Sequence, residues 1–164
     1  MLKAKELVTA AMLAAIMLVA QVALAFLPNI EVVSILVIVS TLVFERKALL
    51  SIYIFALLEG LIYGFGIWWI NYLYVWTILY VVVRLLRNQR QPLFWAVISA
   101  IFGLSFGLLC AIPYAVVGGF YAGVANWVSG LMFDLFHCAG NFATALVLFK
   151  PLYRVMRYVA QIKS

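Results

Sequence analysis

Residues 7–27 read LVTAAMLAAIMLVAQVALAFL. The stretch carries no charged side chain, follows the basic segment Lys3-Ala-Lys-Glu6 and stops at the turn-prone pair Pro28-Asn29. At about 1.5 Å of rise per residue, a helix of this length spans the roughly 30 Å hydrocarbon layer of a bilayer. A secretory leader also starts with a charged segment and an apolar run. This run is long for a leader and lacks a convincing cleavage site, so a retained crossing is expected.

The rest of the chain repeats the theme. Its 164 residues are 69% hydrophobic and 10% charged, with a mean hydropathy of +1.20. Soluble domains are about half apolar and about a quarter charged, so a polytopic, all-α membrane protein of one domain is expected, and disorder is excluded. Apolar stretches at 7–27, 30–44, 48–64, 72–86, 93–112 and 124–149 read as six transmembrane helices, the second of them short: thin, or beginning deeper on the outer side. Residues 65–71 read as an aromatic interfacial loop, Pro113 closes the fifth helix, and 117–123 form a glycine-rich connection. Residues 150–164 read as a basic amphipathic tail at the membrane surface.

The cations fall in four clusters: Lys3 and Lys5; Arg46 and Lys47; Arg84, Arg87 and Arg90; and Lys150, Arg154, Arg157 and Lys163. Six crossings put all 11 Lys and Arg residues on one side, whereas five or seven would split them. The positive-inside bias therefore places both termini in the cytoplasm. The +6 net charge is topological and does not mark a nucleic-acid partner, since no basic face with interleaved aromatics exists. Cys110 and Cys138 lie in apolar segments and form no CxxC pair. There is no GxxxxGK[ST], HExxH or GxSxG motif and no evident internal repeat. Any uphill transport must draw on a partner or an ion gradient.

Four ionisable groups lie away from the cytoplasmic face: Glu31, Glu59, Asp134 and His137. Charge at membrane depth is costly, which makes each a functional candidate. Asp134, His137 and Asn141, spaced i, i+3, i+7 and flanked by Gly130 and Cys138, share one helix face, with Asp134 roughly 24 Å above Lys150. They form either a pocket wall open to the outside or a polar packing seam. Glu59, mid-helix beside Gly60, is either a protonated structural group or a ligand or ion contact. Glu31 fits best as a favourable charge at a helix N-terminus. Trp68, Trp69, Asn71 and Tyr72, with Asn126 and Trp127, suit either an interfacial aromatic belt or the wall of a site for a planar or bulky ligand. Ala10, Ala11, Ala14 and Ala15 give overlapping AxxxA spacings, a flat stripe for close helix approach, as do Gly60 with Gly64 and Gly103 with Gly107.

With Pro28-Asn-Ile-Glu-Val-Val-Ser34, Glu59-Gly-Leu-Ile-Tyr-Gly64, Trp68-Trp-Ile-Asn-Tyr72 and Phe133-Asp-Leu-Phe-His-Cys-Ala-Gly-Asn141, nearly the whole chain resembles the S-components of energy-coupling factor (ECF) vitamin transporters. It looks most like a cobalamin-specific branch from lactic-acid bacteria. The resemblance implies a transport subunit of the bacterial plasma membrane, not an enzyme, with no catalytic residues, resident metal or intrinsic cofactor. It implies a vitamin bound from outside and docking, through the alanine stripe, on a transmembrane coupling subunit with two cytoplasmic ATPases that consume ATP. Delivery would follow from toppling of the whole subunit in the membrane. The outer half and core hold acids, amides and aromatics but no Lys or Arg, which favours a neutral or cationic ligand: a corrinoid, a thiamine-like molecule or a deazapurine such as a queuosine precursor. Gly118 and Gly119 would permit the wide bowl a corrinoid needs. His137 reads as a hydrogen-bonded group rather than a cobalt ligand. Two further classes compete: a solitary ion-coupled carrier, and a membrane enzyme built on Asp134, His137 and Cys138, for which no nucleophile–base–orienter set is spelled out.

Overall fold

The computed structural model describes residues 4–27 and 30–162. Lys3, Pro28, Asn29 and Lys163, which carry part of the sequence reading, lie outside the described residues. Seven helices follow one another, and no strand occurs among the described residues: α1 Ala4–Leu24, α2 Val33–Phe44, α3 Arg46–Tyr63, α4 Ile67–Leu85, α5 Pro92–Cys110, α6 Ile112–Gly118 and α7 Phe120–Ile162. Segments Ala4–Leu24, Ile67–Leu85, Pro92–Gly118 and Phe120–Gln161 are long and apolar enough to cross a membrane. The all-α, membrane-compatible expectation therefore holds at that level.

Helix α2 organises the bundle. It has only 12 residues, and Val33 to Thr41 are all buried, as expected of a helix apolar on every side. It packs against α1, α3, α4, α5 and α7. At about 18 Å it is much shorter than its neighbours, so their turns rise past its N-terminus and leave space above it. Its other end joins α3 through a single residue, Glu45, held at φ +51°. A left-handed conformation is unusual for a residue with a side chain. The Glu45 carboxylate is tied to the Arg84 guanidinium at 3.1 Å, with Arg87 at 3.9 Å.

Helix α5 packs along α7. A Cβ on Gly103 would sit 2.8 Å from the His137 carbonyl oxygen, and one on Gly107 would meet the Asp134 carboxyl. These two glycines let the backbones approach closely, the role the Gly103/Gly107 spacing implies. A ring stack, Trp95 on Phe149 on Tyr153, closes the opposite end of the interface.

Several boundaries differ from the sequence reading. Residues 67–71 are not a loop, because α4 starts at Ile67 and carries Trp68 and Trp69 on its first turn. Pro113 does not end a helix, since it stands in the first turn of α6, where its missing N–H costs nothing. Within 117–123 the only break is Gly119, at φ +84°. The basic tail is no separate element: α7 runs on through Pro151 to Ile162.

Candidate functional site

The space above α2 is a cavity of about 490 Å³. Gln21 and Leu24 of α1, Ala25, Leu27, Ile30 and Glu31 of the α1–α2 connection, and Glu59 and Tyr63 of α3 line one side. Trp68, Tyr72 and Trp76 of α4, Phe106 of α5 and His137 of α7 line the other. The i, i+4, i+8 spacing of Trp68, Tyr72 and Trp76 puts three rings on one face of α4. They meet edge to face, with centroids 5.4 Å (Trp68–Tyr72) and 5.8 Å (Tyr72–Trp76) apart. Phe106 extends the wall, 5.9 Å from Trp76 and 4.9 Å from the His137 ring.

The polar groups divide into tied and untied. Glu31 Oε2 accepts the backbone N–H of Ser34 at 2.8 Å, capping the first turn of α2, and Oε1 lies 3.4 Å from His137 Nε2. Burial pushes the Glu31 carboxyl up. The hydrogen bonds and charge of His137, together with the Ser34 bonds, outweigh that and leave it below the usual 4.5. Tyr72 Oη accepts from Gln21 Nε2 at 3.1 Å. Glu59 is different: it is 1% exposed, and its Oε1 has no hydrogen-bond partner. Trp76 Nε1, on a residue 2% exposed, is also unpartnered. The wall thus holds one unsatisfied carboxyl oxygen and one unsatisfied N–H donor, groups that are costly to leave unpaired. Among the described residues no lysine or arginine contributes to it.

Of the residues singled out in the sequence, Glu31, Glu59, Trp68, Tyr72 and His137 come together here; the other six do not line the cavity. Asp134 turns towards α5, where Oδ1 accepts the Gly107 N–H at 2.9 Å. Asn141 is fully buried and donates to Ser34 Oγ at 3.2 Å and to the Ser99 carbonyl at 3.3 Å. The Asp134–His137–Asn141 face is therefore split: one member reaches the cavity and two join helices. Trp69 Nε1 donates to the Ala56 carbonyl at 2.7 Å, which packs it on α3. Asn71 accepts from Tyr74 Oη, itself bonded to the Leu109 carbonyl. Asn126 and Trp127 stand half-buried on the early turns of α7. Gln21, Tyr63 and Phe106 are members that sequence reasoning missed, and Trp76 extends the aromatic face begun by Trp68 and Tyr72. Gln21 had a signal, as the only amide in the first apolar run.

The alanine stripe is split as well. Ala10 and Ala14 are fully buried, on a helix that packs against α3, whereas Ala11 and Ala15 are exposed beside Val8, Val19 and Val22. Among the described residues no three His, Cys, Asp or Glu side chains are grouped as a metal site requires. No family profile matches the chain, and no curated protein or solved structure is significantly similar to it.

Proposed function

We propose that the chain is the substrate-binding S-component of an ECF-type vitamin importer. In this reading it crosses the bacterial plasma membrane six times with both termini in the cytoplasm. It binds its vitamin from outside in the cavity above α2. It then docks on the transmembrane coupling subunit with its two ATPases and topples to deliver its cargo. The observation that carries the reading is the cavity itself: aromatic on one side, with two carboxyl groups and no lysine or arginine among the described residues that line it. Such a site accepts a flat, neutral or positively charged ring system, because rings and carboxylates both attract a delocalised cation.

The volume, about 490 Å³, lies inside the roughly 300–1,000 Å³ range of small-molecule sites. It suits a thiamine-like or deazapurine molecule as it stands. A corrinoid, with its macrocycle and nucleotide loop, requires the mouth between the α1–α2 connection and α4 to widen. The decisive experiment is mass spectrometry of the small molecule that co-purifies with the chain, followed by its affinity for the purified protein. A stoichiometric vitamin, bound and released unchanged, supports the carrier; turnover to a product refutes it in favour of an enzyme.

Docking has its own test. The exposed Ala11 and Ala15 are the half of the stripe free for a partner helix. Ala11→Trp or Ala15→Trp is expected to abolish cellular uptake and spare vitamin binding. Ala14→Trp would disrupt the buried contact inside the bundle instead. Glu59, a buried unpartnered carboxyl, favours a second reading, a solitary ion-coupled carrier. Vitamin accumulation in vesicles containing this chain alone would establish that reading and exclude the ECF assignment.

A further inference from the structure

Far along α7 from the cavity, a second depression of about 580 Å³ is lined by Arg90, Lys150, Arg154 and Arg157, with aromatic rings between them. Among the described residues no acidic side chain lines it. Among the described residues none of the four cations forms an ion pair, whereas Arg84 and Arg87 are taken up by Glu45. Lys150, Arg154 and Arg157 follow at i, i+4, i+7, one face of α7. Arg90 arrives from the α4–α5 connection, held by the carbonyls of Arg87 and Gln89.

The guanidinium carbons of Arg90 and Arg157 stand 5.7 and 5.8 Å from the centroid of the same ring, Tyr153. That ring ends the Trp95–Phe149–Tyr153 stack, which gives the depression a stiff apolar floor. Like charges gathered from two elements around one ring repel unless an anion lies between them, and planar guanidinium groups suit phosphate oxygens. Starting one residue from Pro92 at the rim, α5 exposes Leu93, Val97, Ile101, Leu104 and Leu108. At that spacing they form a continuous apolar strip. A charged cup opening onto an apolar strip matches an amphiphile with a phosphate head.

We propose that this basic cup is a binding site for the phosphate headgroup of an anionic phospholipid, its acyl chains lying along the exposed face of α5. The site is separate from the cavity above α2 and does not depend on the transport reading. Free phosphate shares the headgroup chemistry but not the use of the strip.

Native mass spectrometry of the full chain in a non-ionic detergent, titrated with phosphatidylglycerol or phosphatidylcholine, tests the assignment. One phosphatidylglycerol retained in preference to phosphatidylcholine is expected. Arg154→Gln/Arg157→Gln should lower that retention about 10- to 30-fold, from two charges near the headgroup. Arg154→Lys/Arg157→Lys, which keeps the charge, should restore most of it, and Arg87→Gln should leave it unchanged. Retention that persists in millimolar inorganic phosphate identifies the lipid as the source. Binding of inorganic phosphate without lipid preference overturns the lipid assignment, as does binding confined to an acidic peptide. Equal retention of the two lipids, or an unaffected double Gln variant, overturns the site.

Discussion

Gly103→Ala tests the packing that positions His137. In the α5–α7 contact the new methyl would lie 2.8 Å from the His137 carbonyl oxygen, 2.9 Å from its carbonyl carbon and 3.1 Å from Asn141 Nδ2. Ordinary contact begins at 3.4 Å, so the helices must part by about 0.6 Å, since backbone atoms of a long helix cannot swing aside. Overpacking of this kind costs about 1–3 kcal/mol. Replacing a helical glycine by alanine returns up to about 1 kcal/mol through backbone entropy. The net expectation is a loss of about 0–2 kcal/mol. Gly130→Ala provides the reference: it lies inside α7 with nothing within 4 Å of its added Cβ. It should gain up to about 1 kcal/mol from propensity alone. Reversible unfolding of both variants in mixed micelles should therefore separate them by about 1–3 kcal/mol, with Gly103→Ala the weaker. Equal stabilities would show that the two helices do not approach as described, and the placement of His137 beside Glu31 would lose its basis.

Three more outcomes follow from the site. Glu59→Gln should lower affinity for a cationic co-purifying ligand about tenfold or more, while the ligand-free protein keeps or gains stability because an unpaired buried carboxyl is removed; thermal unfolding with and without ligand reads both. Asn141→Ala should destabilise by about 1–3 kcal/mol through loss of its bonds to Ser34 and Ser99, and leave the affinity of the folded fraction unchanged; weakened binding at full stability would return Asn141 to the cavity wall. Glu31, with its folded-state carboxyl held below 4.5, contributes stability that is full above that pH and lost as pH falls through the lower folded value. An acid titration of unfolding should show this limb, and Glu31→Gln should flatten it.

The all-α, membrane-compatible character was legible because membrane-length apolar runs are a one-dimensional signal. The second stretch, read as short at 30–44, is shorter still as a helix, since α2 begins at Val33. What misled were local breakers. Gly64, Gly66 and Asn71 suggested a loop around the tryptophans, yet Ile67–Leu85 is helix and carries Asn71 buried against Tyr74. Pro113 and the glycines after it suggested a long connection, but a proline in a first turn is no obstacle to helix. The site was half legible. Helical spacing put Asp134, His137 and Asn141 on one face, but spacing cannot tell which neighbour each meets. Gly107 draws Asp134 to α5, and Ser34 and Ser99 draw Asn141 away from the cavity. Phe106 belongs to the wall because α5 brings its ring beside Trp76 and His137, a fact of three dimensions.

Helix α7 extends for 43 residues without interruption. His137, in the wall of the cavity above α2, and Arg154, in the basic cup, stand on this one rod, separated by roughly 25 Å along its axis. A stiff beam transmits tilt and rotation along its length, so whatever occupies one end biases the attitude of the other. Pro151 lies between the two stations, where its ring removes one hydrogen bond to the preceding turn, so the rod is less stiff there than an all-bonded helix and carries tilt less fully. If the basic cup holds an anionic lipid as proposed, lipid composition would act along this rod on the mouth of the cavity.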